Sequence, residues 1–264
     1  MLYKFIGADD PALLSQIFDS IVVDGRVRFT PAARFNDPQE FKHRSAYPED
    51  YGTFDRWHDT FDVDRSREDR REAWRNLTGG GRDFIVDYEQ RLANLSRLAV
   101  TCFAQSADNF LMWSHYSRAH TGFAVMFNDG VLEPFRHHAG WLCDGPVDYL
   151  SEPPVVEWFK EPPQSVTQKI IFSKSNQWAY EREFRVVMDQ LALEAGGLVR
   201  IPVSSIAGVV LGARIAPSLR TKALSLKAAR PDFRVTEVSP RRGAYGIDII
   251  DIDANSTRLF REIL

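Results

Sequence analysis

Two hydrophobic periods run along this chain, alternation at every second residue and recurrence at every third or fourth, and they separate strands from helices. Leu2, Phe5 and Ile6 with amphipathic Tyr3 and Lys4 read as a short strand. Asp9, Asp10 and Pro11 open a helix whose Leu13, Leu14, Ile17, Phe18 and Ile21 form an apolar stripe. A second strand is predicted over 27–30. Asn36-Asp37-Pro38 interrupts regular structure, because proline drives the residue before it out of helical conformation. Residues 42–82 are polar and end in Gly79-Gly80-Gly81; the five Arg and three acids between Arg65 and Arg75 predict a solvated helix. Phe84, Tyr88, Leu92 and Leu95 share one face of a helix predicted over 84–98. Strands predicted over 98–104 and 122–127 bracket a short helix over 109–117, which Asp108 is placed to cap. Six of the fourteen prolines fall between 134 and 163, yet Trp141, Leu142, Val155, Trp158 and Phe159 give that stretch material to bury. Further strands are predicted over 184–188, 198–203, 209–211, 233–238 and 246–252, with a helix over 218–229. The pattern predicts a single α+β domain over 1–264, with a mixed, largely antiparallel sheet flanked by helices and insertions at about 42–82 and 131–165.

Composition narrows the classes without changing that picture. The 264 residues carry 33 Lys plus Arg against 36 Asp plus Glu, a net charge of −3, which excludes a uniformly basic protein. The sum hides a local excess: between Arg214 and Arg242 there are eight Lys or Arg and two acids. A nucleic-acid acceptor or a phosphate-rich cofactor would favour such a segment, but a solvated helix-and-strand face is the favoured reading of it. Cys102 and Cys143 form no C-x-x-C pair, and the six histidines lack zinc-finger spacing. No secretory leader and no run of 18 apolar residues is visible, so a soluble, cytoplasmic protein with no membrane contact is expected.

Four segments combine polar and aromatic residues beyond what packing requires. In Tyr3-Lys4-Phe5, alternation puts Lys4 on the face opposite Tyr3 and Phe5. In Phe35-Asn36-Asp37-Pro38-Gln39-Glu40-Phe41, the acids can bind a ribose hydroxyl or a cation, or cap the turn. In Met112-Trp113-Ser114-His115-Tyr116, helical spacing brings Met112 and Tyr116 to one face, and His120 follows in the turn before Gly122. In the run from Lys174 to Arg185, an extended chain would put Glu181, Glu183 and Arg185 on one face. Two carboxylates and a guanidinium do not enter a dry core unpaired, so that face is either a wet salt-bridged ladder or a site wall. No G-x-S-x-G, Walker loop or G-x-G-x-x-G is present.

Taken in order, L-Y-K-F, F-N-D-P-x-E-F, C-F-A, M-W-S-H-Y with H-x-G-F, and K-x-x-x-W-x-Y-E-R-E-F-R resemble a bacterial family, domain of unknown function 2971, from Leu2 to the strand over 209–211. A basic residue in the first strand, an aromatic middle segment and a late Glu-x-Glu also resemble ADP-ribosyltransferases. That second resemblance implies their fold and the cleavage of the nicotinamide–ribose bond of NAD, with transfer of ADP-ribose to a nucleic acid or protein. It implies that Glu183 holds the ribose and that Glu181 orients or deprotonates the acceptor. It also implies that Trp113 or Tyr116 stacks on nicotinamide, and that Tyr3, Lys4, Asn36, Asp37, His115 and His120 contact the rest of the dinucleotide. Lys4 stands where relatives carry Arg or His, and the Ser-Thr-Ser of arginine-modifying toxins is missing. A bacterial toxin or phage-defence effector, with an antitoxin partner, fits the same resemblance; no metal is expected. Two other classes compete: a non-catalytic module that senses a ligand or nucleic acid, and a metal-dependent hydrolase using Asp37, Glu40, His115 and His120.

Overall fold

The run of apolar residues from Leu98 to Ala104 is covered on both faces, which is why it alternates so little, and it anchors the central sheet. A computed structural model describes residues 1–35, 37–79 and 95–253. In chain order its strands and helices are β1 (Leu2–Ile6), α1 (Pro11–Phe18), β2 (Arg26–Arg28), β3 (Thr30–Pro31), β4 (Arg44–Ala46), α2 (Tyr51–Phe61), α3 (Arg67–Thr78), β5 (Leu98–Ala104), α4 (Phe110–Tyr116), β6 (Phe123–Phe127), α5 (Leu132–Arg136), β7 (Trp141–Pro146), β8 (Asp148–Leu150), β9 (Val155–Glu157), α6 (Pro163–Ile171), β10 (Ser173–Ser175), β11 (Glu183–Asp189), β12 (Leu198–Arg200), β13 (Ile206–Leu211), α7 (Pro217–Ala229), β14 (Arg234–Pro240) and β15 (Ile247–Asp251). The architecture is α+β. The main sheet runs β15-β14-β13-β6-β1-β5-β11-β7, with β3 also on β5. Among the described residues only β13 and β14 pair in parallel within it, so the sheet is mixed and mostly antiparallel.

Alternation assigns the two faces. Ala99, Phe103, Val125, Phe127, Val186 and Met188 project to one side, where Leu14 and Phe18 of α1 and Leu219 and Ala223 of α7 cover them. The opposite side holds two separate apolar clusters. Val100, Cys143 and Val187 pack under Val166, Ile170 and Ile171 of α6. Ala124, Met126 and Val210 pack around Trp113 of α4. Tyr3 and Phe5 border the second of these clusters and Phe35 and Cys102 the first. These four residues also line a cavity on that side of the sheet.

The two stretches read as insertions pack on each other. Strand β4 pairs in parallel with β9, Trp57 donates to the Glu161 carbonyl at 2.7 Å, and Phe54 meets Phe159 at 4.8 Å. The stretch 131–165 also supplies β7, the strand beside β11 at the end of the sheet. Two local readings change. Asn109, rather than Asp108, caps α4 by accepting from the Leu111 N–H. Residues Asn176–Glu181 form a 3-10 turn and Arg182 takes a left-handed φ of 46°, so Glu181 does not share an extended run with Glu183 and Arg185, while the strand predicted over 184–188 spans Glu183–Asp189. The helix read over 84–98 falls outside the described residues up to residue 94, as do Gly80 and Gly81. Among the described residues no helix is long and apolar enough to cross a membrane.

Candidate functional site

Glu183 opens β11, and the alternation of the strand brings Arg185 to the same face. The Arg185 side chain is fully buried, and its guanidinium needs partners for every donor. Its Nε donates to Glu183 at 2.7 Å, its Nη2 to Glu183 at 3.0 Å and to Glu40 at 2.9 Å, and its Nη1 to the Ile171 carbonyl. The rings of Phe35 and Phe41 lie 5.9 and 5.5 Å from it. Glu40 reaches this point because the turn at Asp37-Pro38 is closed by the Gln39 N–H on the Asp37 carboxylate and the Glu40 N–H on the Asp37 carbonyl.

Lys174 on β10 completes the cluster. Its ammonium lies 2.6 Å from Glu181, 3.0 Å from Glu40 and 3.1 Å from Glu183, with the Trp178 ring at 5.2 Å. The turn after β10 folds the chain back so that Glu181 faces the ammonium it follows by seven residues. From α4, the Tyr116 hydroxyl donates to the other oxygen of Glu181. Tyr149 accepts the Glu183 backbone N–H at 2.8 Å. Three carboxylates (Glu40, Glu181, Glu183) thus face two cations, and the group carries a surplus negative charge.

A cavity of about 190 Å³ opens over this group. Asp37, Glu40, Glu181, Glu183, Lys4 and Lys174 supply its polar wall, and Tyr3, Phe5, Phe35, Tyr116 and Trp178 its aromatic wall. The two carboxylates of the Glu-x-Glu pair titrate in opposite directions. Burial pushes the Glu181 carboxyl up, only partly offset by Lys174 and Tyr116. Burial pushes Glu183 up as well, but the Arg185 guanidinium and Lys174 overcome it and hold the carboxyl down at about 2. Burial and the Glu181 contact push the Tyr116 phenol well above its ordinary value. Such a split pair within one cavity can hold one permanent anion beside one group able to exchange a proton.

The residues singled out in the sequence divide into three groups. Tyr3, Lys4, Asp37, Tyr116, Glu181 and Glu183 line the cavity together. Trp113, His115 and His120 do not. Trp113 is fully buried, donates to the Ala107 carbonyl at 2.7 Å and stacks on His120, so it offers no face to nicotinamide. His120 is packed behind that ring, its Nδ1 buried without a hydrogen-bond partner among the described residues. His115 is exposed, 6.4 Å from the rings of Trp178 and Tyr180. Asn36 lies outside the described residues. The hydrolase set of Asp37, Glu40, His115 and His120 therefore does not converge, and no group of three His, Cys, Asp or Glu among the described residues has metal-holding geometry. Lys4 lines the cavity with its ammonium engaged by the protein. Strand β5 pairs with β1 at Ala104 and with β3 at Ala99 and Val100, and the Lys4 ammonium fills the gap by donating to Thr101 at 2.8 Å and to the Cys102 carbonyl at 3.3 Å. Burial pushes that ammonium below its ordinary value.

The sequence left Lys174 and Trp178 without a role, read Arg185 as part of a salt-bridged ladder or site wall, and did not connect Glu40 to it. Arg185 was the readable signal, since a strand guanidinium two residues after a glutamate needs a second anion to be buried. The second anion lies 145 positions away, at Glu40.

Residues 112–186 match the family model described as a protein of unknown function, DUF2971. The family resemblance is thus borne out over the span from α4 to β11. The DUF2971 match takes in Tyr116, Lys174, Trp178, Glu181, Glu183 and Arg185, and it runs through 131–165, the stretch read as an insertion. Lys4, Asp37 and Glu40 lie outside it. No curated protein and no solved structure matches the chain.

Proposed function

We propose that this cavity takes the nicotinamide–ribose end of NAD, and that the protein is an ADP-ribosyltransferase-like enzyme acting on a nucleic acid or protein. The reading rests on one observation: Glu181 and Glu183, with opposite titration shifts, share an aromatic-walled cavity that holds surplus negative charge. Breaking the nicotinamide–ribose bond sends the bonding pair out with neutral nicotinamide and leaves positive charge on the ribose. The buried cluster of three carboxylates against two cations beneath this cavity favours that charge as it develops, because its charged groups are already fixed in place. The incoming acceptor must lose a proton, and Glu181, whose proton affinity burial raises, is the group suited to take it. The rings of Tyr3, Phe35, Tyr116 and Trp178 offer stacking surface for the pyridinium. A volume of about 190 Å³ suits the ring and the ribose, with the adenylate end outside.

Binding is tested by thermal unfolding with and without NAD. At one hundred times its dissociation constant NAD stabilises the folded protein by about 2.7 kcal/mol. A midpoint unmoved by millimolar NAD, in a protein that also leaves NAD intact beside nucleic-acid and protein acceptors, contradicts the reading.

A further inference from the structure

Counting donors separates the two carboxylates. An ionised carboxylate has about four acceptor positions. Glu183 receives the Arg185 Nε at 2.7 Å, the Arg185 Nη2 at 3.0 Å and the Lys174 ammonium at 3.1 Å. Three of its acceptor positions are filled by the protein itself, all by charged donors. Among the described residues Glu181 receives only the Tyr116 hydroxyl and the Lys174 ammonium, and it lines the same cavity. About two of its positions are open to a ligand. The resemblance to ADP-ribosyltransferases gives the hydroxyl-holding role to Glu183; the donor count gives it to the other member of the pair.

We propose that Glu181 is the carboxylate that meets the substrate, and that Glu183 is a positioning residue acting on Glu181 across Lys174. This rests on the NAD reading above. Glu183 and Lys174 act on Glu181 in opposite senses: the Glu183 charge raises the proton affinity of Glu181 and the Lys174 charge lowers it. Glu40 and Arg185 fix the pair from behind, Glu40 by bridging Lys174 and Arg185. The proton moves without loss of balance: it leaves the attacking acceptor hydroxyl or amine, joins the Glu181 carboxylate as the new bond to ribose forms, and returns to solvent.

The test is the pH profile of nicotinamide release by wild type, Glu181→Gln, Glu183→Gln and Lys174→Met. Glu181→Gln should lower kcat by about 100-fold or more, the size of a lost general base. Glu183→Gln should lower it by no more than about tenfold and move the acid limb to lower pH, because Glu181 then loses the anion that raises it. Lys174→Met should move the same limb to higher pH. A purely structural role for Glu183 or Lys174 moves neither limb. Folded Glu183→Gln protein that is inactive, beside Glu181→Gln protein that still turns over, overturns the assignment. If Glu183→Gln does not fold, an acid limb unmoved in Lys174→Met overturns it instead. Wild type that releases no nicotinamide removes the NAD reading, and carboxyl carbon-13 titration then decides the assignment by itself. Glu181 titrating above the ordinary carboxylate range, and lower in Glu183→Gln, supports it; Glu181 at its ordinary value overturns it.

Discussion

At the scale of single residues the site is governed by the cost of burying charge. Arg185 is enclosed by Glu40, Glu183 and the Ile171 carbonyl, and its removal strands two carboxylates away from water. Arg185→Met should therefore destabilise the protein by about 3–5 kcal/mol in urea unfolding, and a loss under about 1 kcal/mol would show the cluster to be far wetter than its geometry. His58 on α2 makes a separate prediction. Its Nδ1 meets Asp62 at 3.0 Å, and its ring packs among Phe54, Trp57 and Phe159. Burial lowers its proton affinity, and Arg65 and Arg70 add to this against the opposing pull of Asp62. The unfolded chain binds the proton first as pH falls through about 6.5, so the contribution of His58 to stability is present above that pH and lost below it. The stability difference between wild type and His58→Phe should shift against wild type from about pH 7.5 to about pH 5.5, and a difference independent of pH contradicts this. The sequence exposed the carboxylates Glu181 and Glu183 because they stand two apart among aromatics. It misled at Trp113, whose helical spacing beside Tyr116 suits a stacking platform and a core residue equally, and only packing tells the two apart.

At the scale of elements the turn between α4 and β6 is held under strain. Arg118, Ala119 and His120 all take positive, left-handed φ values. That conformation is disfavoured by about 1–2 kcal/mol for each residue with a Cβ. The His120 N–H on the Trp113 carbonyl and the Ala119 N–H on the Ser114 carbonyl close the end of the helix and hold the turn. Gly122 then lies so close to β1 that a Cβ would strike the Ile6 carbonyl. Gly122→Ala should cost about 1–3 kcal/mol or more by thermal unfolding. Gly243→Ala, in open space, costs only its backbone strain. Equal effects at the two glycines would contradict the close approach. Alternation and apolar runs made many strands legible: β5 falls where the pattern puts it, whereas β12 ends and β13 begins three residues before the predicted limits and β4 and β7–β10 were not predicted. The 3-10 turn before Glu183 was not legible, because Trp-x-Tyr-x-Arg alternates like a strand, and the tie from Lys174 to Glu181 that bends it is tertiary.

At the scale of the whole molecule, the basic stretch from 214 to 242 is largely spent on the fold. Arg220 pairs with Glu237, Lys222 with Asp19 and Arg241 with Asp248, while Lys227 and Arg230 donate to backbone carbonyls. A count along the sequence registers eight cations but not these partners, which come from β14, β15 and the segments between strands. Charge relevant to chemistry is instead concentrated in the cavity on the sheet face between Trp113 and α6, where six of the site candidates drawn from the sequence meet. The claim that this cavity opens the nicotinamide–ribose bond is tested most directly by measuring free nicotinamide after incubating the full chain with NAD and nucleic-acid or protein acceptors. Wild type is predicted to release nicotinamide and Glu181→Gln, folded to the same melting temperature, to release about 100-fold less. NAD that remains intact with wild type, or nicotinamide released equally by both proteins, would contradict the account.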